Sequence, residues 1–346
     1  MTIARILQIV PVLPPASEGV TATAEALANA LEERGAARSE FLALGHAAPS
    51  PVQSKNSQAI EQAIAEHQPN TLLVHYVNYA YDPHGCPEAL VDAVTRWSVT
   101  HGGRVIAYFH EVYASGPPWR RTFWVSRRQQ RLALRLAEAS GFCLTSLDIY
   151  AERLRALGYR GDLLTRAIPS TIGEPQSLLT YDERAPELAI FGSAGRRARA
   201  YRDTEGALRH ACERLAIGSI IDIGPGSVAP PSVAGRAVER RGALPAVDVS
   251  ARLRAAAAGF VAYPLDFLGK SSIFAAYTSH GMLAIATGRR PGRSTSLRSG
   301  MEYWNPNDAP LEPGREAAVA AAGRAWYAGH DIAALAAEIA GRLGTA

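Results

Sequence analysis

The stretch DFLGKSSIFAAYTSHG, residues 266–281, carries a glycine, a lysine and two serines in succession. It lies between the apolar runs GFVAYPL and MLAIAT, so a strand feeds a glycine turn, then a helix, then a second strand. Lys and Arg together number 36, yet Lys55 and Lys270 are the only lysines. Lys270 stands where the helix should begin. An ammonium is a compact point charge suited to phosphate. Ser271 or Ser272 can cap the helix, and the amides behind them can receive anionic oxygens. An ordinary capped helix with a surface lysine accounts for the same residues.

A second basic turn lies in LAIFGSAGRRARAYRD, residues 188–203. Gly192, Ser193 and Gly195 follow a strand and precede Arg196 and Arg197, whose guanidinium groups can each hold two phosphate oxygens. The alternative is a solvated basic loop in an arginine-rich chain. Near the start, PVLPPASEG places Gly19 between a strand and a helix, the geometry by which α/β proteins receive phosphate, although one glycine in a βα loop is a weak signal. His110 and Glu111 end the strand RVIAYF, at the carboxyl edge where open sheets place ligands. His110 could bond a sugar hydroxyl or act as a base. A buried, satisfied imidazole is the alternative there and at His75. His280, at a helix end, is expected to be structural, its cationic ring suited to the dipole. Residues 119–139, WRRTFWVSRRQQRLALRLAEA, set Trp124, Arg127, Arg128, Arg131 and Arg135 along one helical flank. That mixture suits an anionic membrane interface or an anionic acceptor, and equally a solvated face beside a leucine stripe.

The whole composition narrows the field. A chain of 346 residues with 47% hydrophobic content can fill two domains. The net charge of +4 fits an anionic small molecule or a membrane surface and is too dispersed to argue for nucleic acid. Three scattered cysteines give no disulfide framework or zinc pattern and fit a reducing compartment. The first apolar run is too short for a signal peptide, and no run of 18 apolar residues exists. There is no D-x-D, G-x-S-x-G or P-loop. GPGSVA, 224–229, follows a strand but leads into two prolines, so it is not read as a dinucleotide fingerprint.

Positioning these groups falls to alternating β and α elements, which predict parallel sheets. Strands are expected at 4–10, 38–44, 71–77, 104–109, 141–145 and 162–166, then at 187–192, 219–223, 259–264 and 282–287. Helices are expected at 20–34, 57–67, 87–100, 119–139 and 147–157, then at 203–216, 247–257, 271–280, 314–328 and 331–343. The turn-rich segment 169–186 reads as a linker between domains 1–168 and 187–328.

Taken together, the chain resembles the GT-B glycosyltransferases of the family-4-like group. RILQIVPVLPPASEGVTATAEALANALEERG resembles that group's opening strand, glycine loop and helix, and VIAYFHEVY its strand ending in a histidine near the donor sugar. RAIPSTI resembles the segment crossing between domains, and GALPAVDVSARLRAAAAGFVAYP the stretch before the donor motif. AGRAWYAGHDIAALAAEI resembles the terminal helices, which implies that 329–346 returns to the first domain. One departure matters. The group's two donor-motif glutamates, eight residues apart, fall on Leu268 and Ala276 in an ungapped alignment from Pro264 to Thr287. Lys270, Ser271 and Ser272 occupy the same turn and could grip the diphosphate instead.

The resemblance implies an α/β GT-B fold: two doubly wound Rossmann-like domains facing a cleft, the first on the acceptor side and the second for the donor nucleotide. It implies a metal-independent sugar transferase, with a carbohydrate or lipid-linked acceptor of the kind used in polysaccharide biosynthesis. The diphosphate is expected at Gly19, Ser193, Arg196, Arg197, Lys270, Ser271 and Ser272. His110 would contact the sugar; Glu18, His110 and Glu111 are the candidate bases should stereochemistry invert. No cofactor and no nucleic-acid partner are expected. The expected location is the cytoplasm, with peripheral contact at an inner membrane face through 119–135. A degenerate binding scaffold and a nucleotide-sugar epimerase are the alternatives.

Overall fold

The computed structural model describes residues 3–15, 19–46, 55–289, 296–308 and 310–344. The chain divides into two compact units, one of residues 1–167 with 332–346 and one of residues 168–331.

The first unit runs β1 (Ala4–Val10), α1 (Gly19–Glu33), β2 (Ala37–Ala43), α2 (Ser57–Glu66), β3 (Thr71–Tyr76), α3 (Asn78–Tyr81), α4 (Glu88–His101), β4 (Arg104–Phe109), α5 (Arg121–Glu138), β5 (Phe142–Thr145), α6 (Asp148–Ala156) and β6 (Asp162–Thr165). Its sheet has the order β2-β1-β3-β4-β5-β6, every pair parallel. Parallel strands covered on both faces read as continuous apolar runs, and β3, TLLVHY, is buried at every position. Leu73 and Ile106 face Leu27 and Leu31 of α1 across one layer of the core.

The second unit runs β7 (Ala185–Phe191), α7 (Ala194–Arg202), α8 (Glu205–Arg214), β8 (Ser219–Ile223), β9 (Ser232–Val233), β10 (Arg236–Gly242), α9 (Ala246–Ala255), β11 (Ala256–Ala262), α10 (Ser272–Ser279), β12 (Leu283–Thr287) and α11 (Glu316–Ala328). The final helix, α12 (Ile332–Gly344), groups with the first unit, where Leu335, Ala336 and Ile339 pack with α1 and Arg104 donates to the carbonyls of Arg342 and Leu343 at 2.8 and 2.9 Å.

The second sheet has the order β12-β11-β7-β8-β10-β9, parallel except for β9. Successive strand residues alternate between faces. Leu188 and Ile190 pack with Leu208 and Cys212 of α8, whereas Ala189 packs with Leu253 of α9 and Phe274 and Tyr277 of α10. Tyr277 pins α10 to the sheet: its hydroxyl accepts from the Phe191 amide at 3.2 Å and faces the carbonyls of Ala189 (3.1 Å) and Phe260 (3.2 Å). The ring fits because position 259 is glycine; a Cβ there would lie 2.5 Å from it.

Three readings need correction. Residues 194–202 form a helix, α7, where the first helix of this unit was expected only from 203. Residues 236–242 form a strand, β10, that was not expected. His280 is structural and caps the end of α10 as expected, but not as a cation. It is buried, burial pushes its pKa down to about 4, and its ring nitrogens lie 2.7 Å from the Ala276 carbonyl and 2.7 Å from the Ser250 hydroxyl.

Candidate functional site

In the second unit the strand order reverses between β7 and β11, and open α/β sheets bind ligands outside the carboxyl ends of the strands at such a point. The chain leaves β7 through Gly192, at φ +126°, a left-handed conformation that glycine adopts without strain. A Cβ there would meet Ile273 Cδ1 at 2.6 Å, so the turn after β7 lies against the first turn of α10. Ser193 follows, exposed, and its hydroxyl makes no capping bond to α7. Gly195 is exposed and open around its Cα.

Arg196, half-buried, places its guanidinium 4.6 Å from the centre of the Tyr263 ring, on the residue that leaves β11. Stacking on an aromatic face holds a guanidinium in position while its N–H donors keep their directions. Among the described residues Arg196 makes no ion pair. After β11, Leu265–Lys270 forms a 3-10 helix that delivers Lys270, half-buried, to the start of α10. The Ile168 amide donates to the Gly269 carbonyl at 2.9 Å and ties this turn to the unit's first residue. Ser271 is the N-cap: its Oγ accepts from the Phe274 amide at 3.2 Å, and it is buried. Its hydroxyl is therefore part of the helix, and Ser272, half-buried, is the more open serine. The structure thus gathers Ser193, Arg196, Lys270, Ser271 and Ser272 around the ends of β7 and β11.

Arg197 does not join them. Its side chain is wholly buried and pairs with Asp222. It also donates to the carbonyls of Gly192 (3.0 Å), Pro225 and Gly226 (3.0 Å). Tyr201 donates to the other Asp222 oxygen at 2.9 Å. Expected as a phosphate ligand, Arg197 instead braces the turns after β7 and β8, because adjacent positions on a helix point about 100° apart. Leu268 and Ala276, the positions aligned with the donor-motif glutamates, are buried in the apolar core.

The remaining expected residues belong to the first unit. Gly19 is the exposed first residue of α1, and Glu18 lies outside the described residues. Glu111 is half-buried, its amide 3.4 Å from the Tyr76 carbonyl. His110 is 3% exposed, with its Nε2 3.1 Å from His75 Nδ1 and the Tyr108 ring stacked 4.3 Å away. Sequence reasoning missed Tyr263 and Gln8, which support Arg196 and His75. Their only signal was position, at the end of one strand and late in another. Among the described residues no group of three or more His, Cys, Asp or Glu side chains could hold a metal ion, and no helix is long and apolar enough to cross a membrane.

No family model matches the chain, and no curated protein matches it. Solved structures do. An alpha-glucosyltransferase in complex with UDP and DNA aligns at TM-score 0.61 and 10% identity over 99% of each chain. HepE of Anabaena, in complex with UDP and glucose, aligns at 0.58 and 10% identity over 99% of this chain and 100% of its own. A Listeria monocytogenes protein assigned as a UDP-N-acetylglucosamine 2-epimerase aligns at 0.58 and 12% identity over 98% of this chain and 95% of its own. The chain has the GT-B fold, built from two Rossmann-like α/β units.

Proposed function

We propose that the protein transfers a sugar from a nucleotide-sugar donor to an acceptor, with the donor diphosphate held at the carboxyl edge of β7 and β11. The observation that carries this is Arg196, held over Tyr263 beside the uncapped start of α7. A fixed cation and unengaged helix amides favour an anion there. They also suit the charge that develops on a departing diphosphate, which is the main catalytic contribution such a site offers. Lys270 and Ser272 complete the donor side. From the first unit, Gly19 is assigned to the diphosphate, His110 to the transferred sugar, and Glu18, His110 and Glu111 to proton transfer should the reaction invert. UDP in the structural neighbours makes uracil the first base to try.

Incubation with UDP-glucose and UDP-N-acetylglucosamine tests this reading. Release of UDP with transfer or hydrolysis of the sugar supports it. An altered sugar still joined to UDP supports the epimerase reading, which the Listeria neighbour favours. Absence of both, with or without UDP binding, supports the scaffold reading, which the missing carboxylates at Leu268 and Ala276 favour. Arg196→Ala and Lys270→Ala are each expected to raise the donor KM about 10- to 100-fold, the effect of losing one charge-assisted hydrogen bond.

The acceptor is proposed to be a carbohydrate or lipid-linked molecule presented at an anionic membrane surface. Trp124 on α5 is 73% exposed, and Trp119, just before the helix, is 84% exposed. Trp124 lines a groove of about 440 Å³ with Arg127, Arg128 and Arg131. Arg128 pairs with Glu88 at 2.5 Å and Arg135 with Asp92 at 2.7 Å; among the described residues Arg127 and Arg131 have no ion pair. Exposed indole beside unneutralised arginine suits the interface of an anionic bilayer. Binding to phosphatidylserine-containing vesicles in a sedimentation assay is expected to weaken about fivefold for each of Arg127→Ala and Arg131→Ala. Equal sedimentation with phosphatidylcholine vesicles would contradict it. A DNA duplex is the comparison arm, since the alpha-glucosyltransferase neighbour is in complex with DNA.

A further inference from the structure

Four polar side chains on neighbouring strands of the first unit form a hydrogen-bonded row: Ser39 on β2, Gln8 on β1, His75 on β3 and His110 just after β4. Gln8 Nε2 donates to Ser39 Oγ at 3.1 Å. That turns Gln8 Oε1 toward His75 Nε2, 2.8 Å away. A carbonyl oxygen only accepts, so His75 carries its proton on Nε2 and its lone pair on Nδ1. The atom facing that lone pair is His110 Nε2, at 3.1 Å, which must then be the N–H of its ring. Gln8 and His75 are completely buried.

The direction of the row depends on His75 being neutral. A charged imidazole would donate from both nitrogens and require His110 Nε2 to accept. Burial pushes the His75 pKa down to about 3, so the ring keeps one donor and one acceptor. Tyr108 lies 4.3 Å from the His110 ring and 5.6 Å from the His75 ring, centre to centre, and limits rotation of both.

We propose that His75, oriented by Gln8, is a positioning residue that pins His110 in its Nε2–H tautomer and so makes Nδ1 the nitrogen through which His110 accepts a hydrogen bond or takes up a proton. This deepens the sugar-transfer reading and rests on it for the purpose His110 serves. Because a primary amide does not relay protons readily, the row acts as an oriented dipole and not as a proton wire. Protonation of His110 adds a proton at Nδ1 and leaves the bond to His75 intact.

The test is a long-range ¹H–¹⁵N NMR spectrum of the full-length protein labelled with ¹⁵N-histidine, at a pH where His110 is neutral. The expected result is protonated Nε2 and unprotonated Nδ1 on both His75 and His110. Both rings protonated on Nδ1 would mean a row running in reverse, and would overturn the proposal on the unmodified protein alone. Gln8→Leu is expected to replace the single His110 signature by a mixture of tautomers; an unchanged signature counts against the proposal. His75→Leu is expected to lower turnover on the order of 100-fold through loss of alignment. His75→Gln, whose carbonyl can still accept from His110, is expected to restore both the Nε2–H signature and most of the turnover. Failure of that rescue in a folded variant counts against it. The two readings fail separately: full turnover in His110→Ala would remove His110 from the transfer reaction and leave the tautomer assignment standing.

Discussion

Replacing Arg197 by alanine is expected to destabilise the second unit by about 3–5 kcal/mol, the loss that follows when one member of a buried ion pair is removed. The Asp222 carboxylate, 2% exposed, would keep only its bond from Tyr201. The carbonyls of Gly192, Pro225 and Gly226 would lose their shared donor at the same time. Arg197→Lys is expected to recover little, because an ammonium cannot span four acceptors set around a planar fork. Arg197→Ala with Asp222→Leu is expected to be more stable than Arg197→Ala alone, since the unpaired buried charge is gone. Urea denaturation reads each effect. The same experiment separates a brace from a ligand. If Arg197→Ala unfolds at an unchanged urea concentration but no longer binds UDP, Arg197 belongs to the phosphate site as the sequence first suggested.

Acid is expected to weaken both units through buried histidines, independently of the carboxylates. His75 in the first unit and His280 in the second have folded pKa values of about 3 and about 4, both depressed by burial from 6.5. Below pH 6.5 the unfolded chain binds protons that the folded chain refuses, so unfolding is favoured as pH falls. The stabilisation is complete above about pH 6.5 and is lost on the way down to about pH 4 for His280 and about pH 3 for His75. Each group contributes about 1.4 kcal/mol per pH unit inside its window, so each unit is expected to lose about 2 kcal/mol between pH 7 and pH 5. Glu88 and Glu338, whose carboxyls are held below their usual range first by hydrogen bonds from Arg128 and Arg342, add to the loss only below about pH 4.5. Thermal denaturation from pH 7 to pH 5 checks this. His280→Asn, which still offers an amide to the Ala276 carbonyl, is expected to flatten the slope of the second unit. An unchanged slope would show that His280 is protonated in the folded protein.

Much of the architecture was legible because buried parallel strands are short apolar runs bounded by turns. The strand expected at 104–109 forms at Arg104–Phe109, and the helix expected at 271–280 forms at Ser272–Ser279. Besides the short α3 and β9, two elements were not legible, α7 and β10, for one reason: their inward positions are not apolar in the usual pattern. α7 buries an arginine, Arg197, beside two alanines and a tyrosine, so AGRRARAYR shows no helical stripe. β10, RAVERRG, lies second from the sheet's edge, next to the two-residue β9, and carries charge along its length. At the candidate site, the glycine turn and the lysine at the start of α10 could be read directly. The division of labour between Arg196 and Arg197 could not, because only the helix they start decides which of two adjacent arginines points inward. The row from Ser39 to His110 was equally hidden, since Gln8 and His75 stand 67 residues apart and meet only when β1 pairs with β3.

The central claim is that the ends of β7 and β11 hold a nucleoside diphosphate, and calorimetric titration with UDP tests it most directly. The expected result is a single site in the unaltered protein, with the heat abolished in Arg196→Ala/Lys270→Ala although that variant unfolds at the same urea concentration. Undiminished UDP affinity in that folded double variant would contradict the account, as would no detectable heat with the unaltered protein.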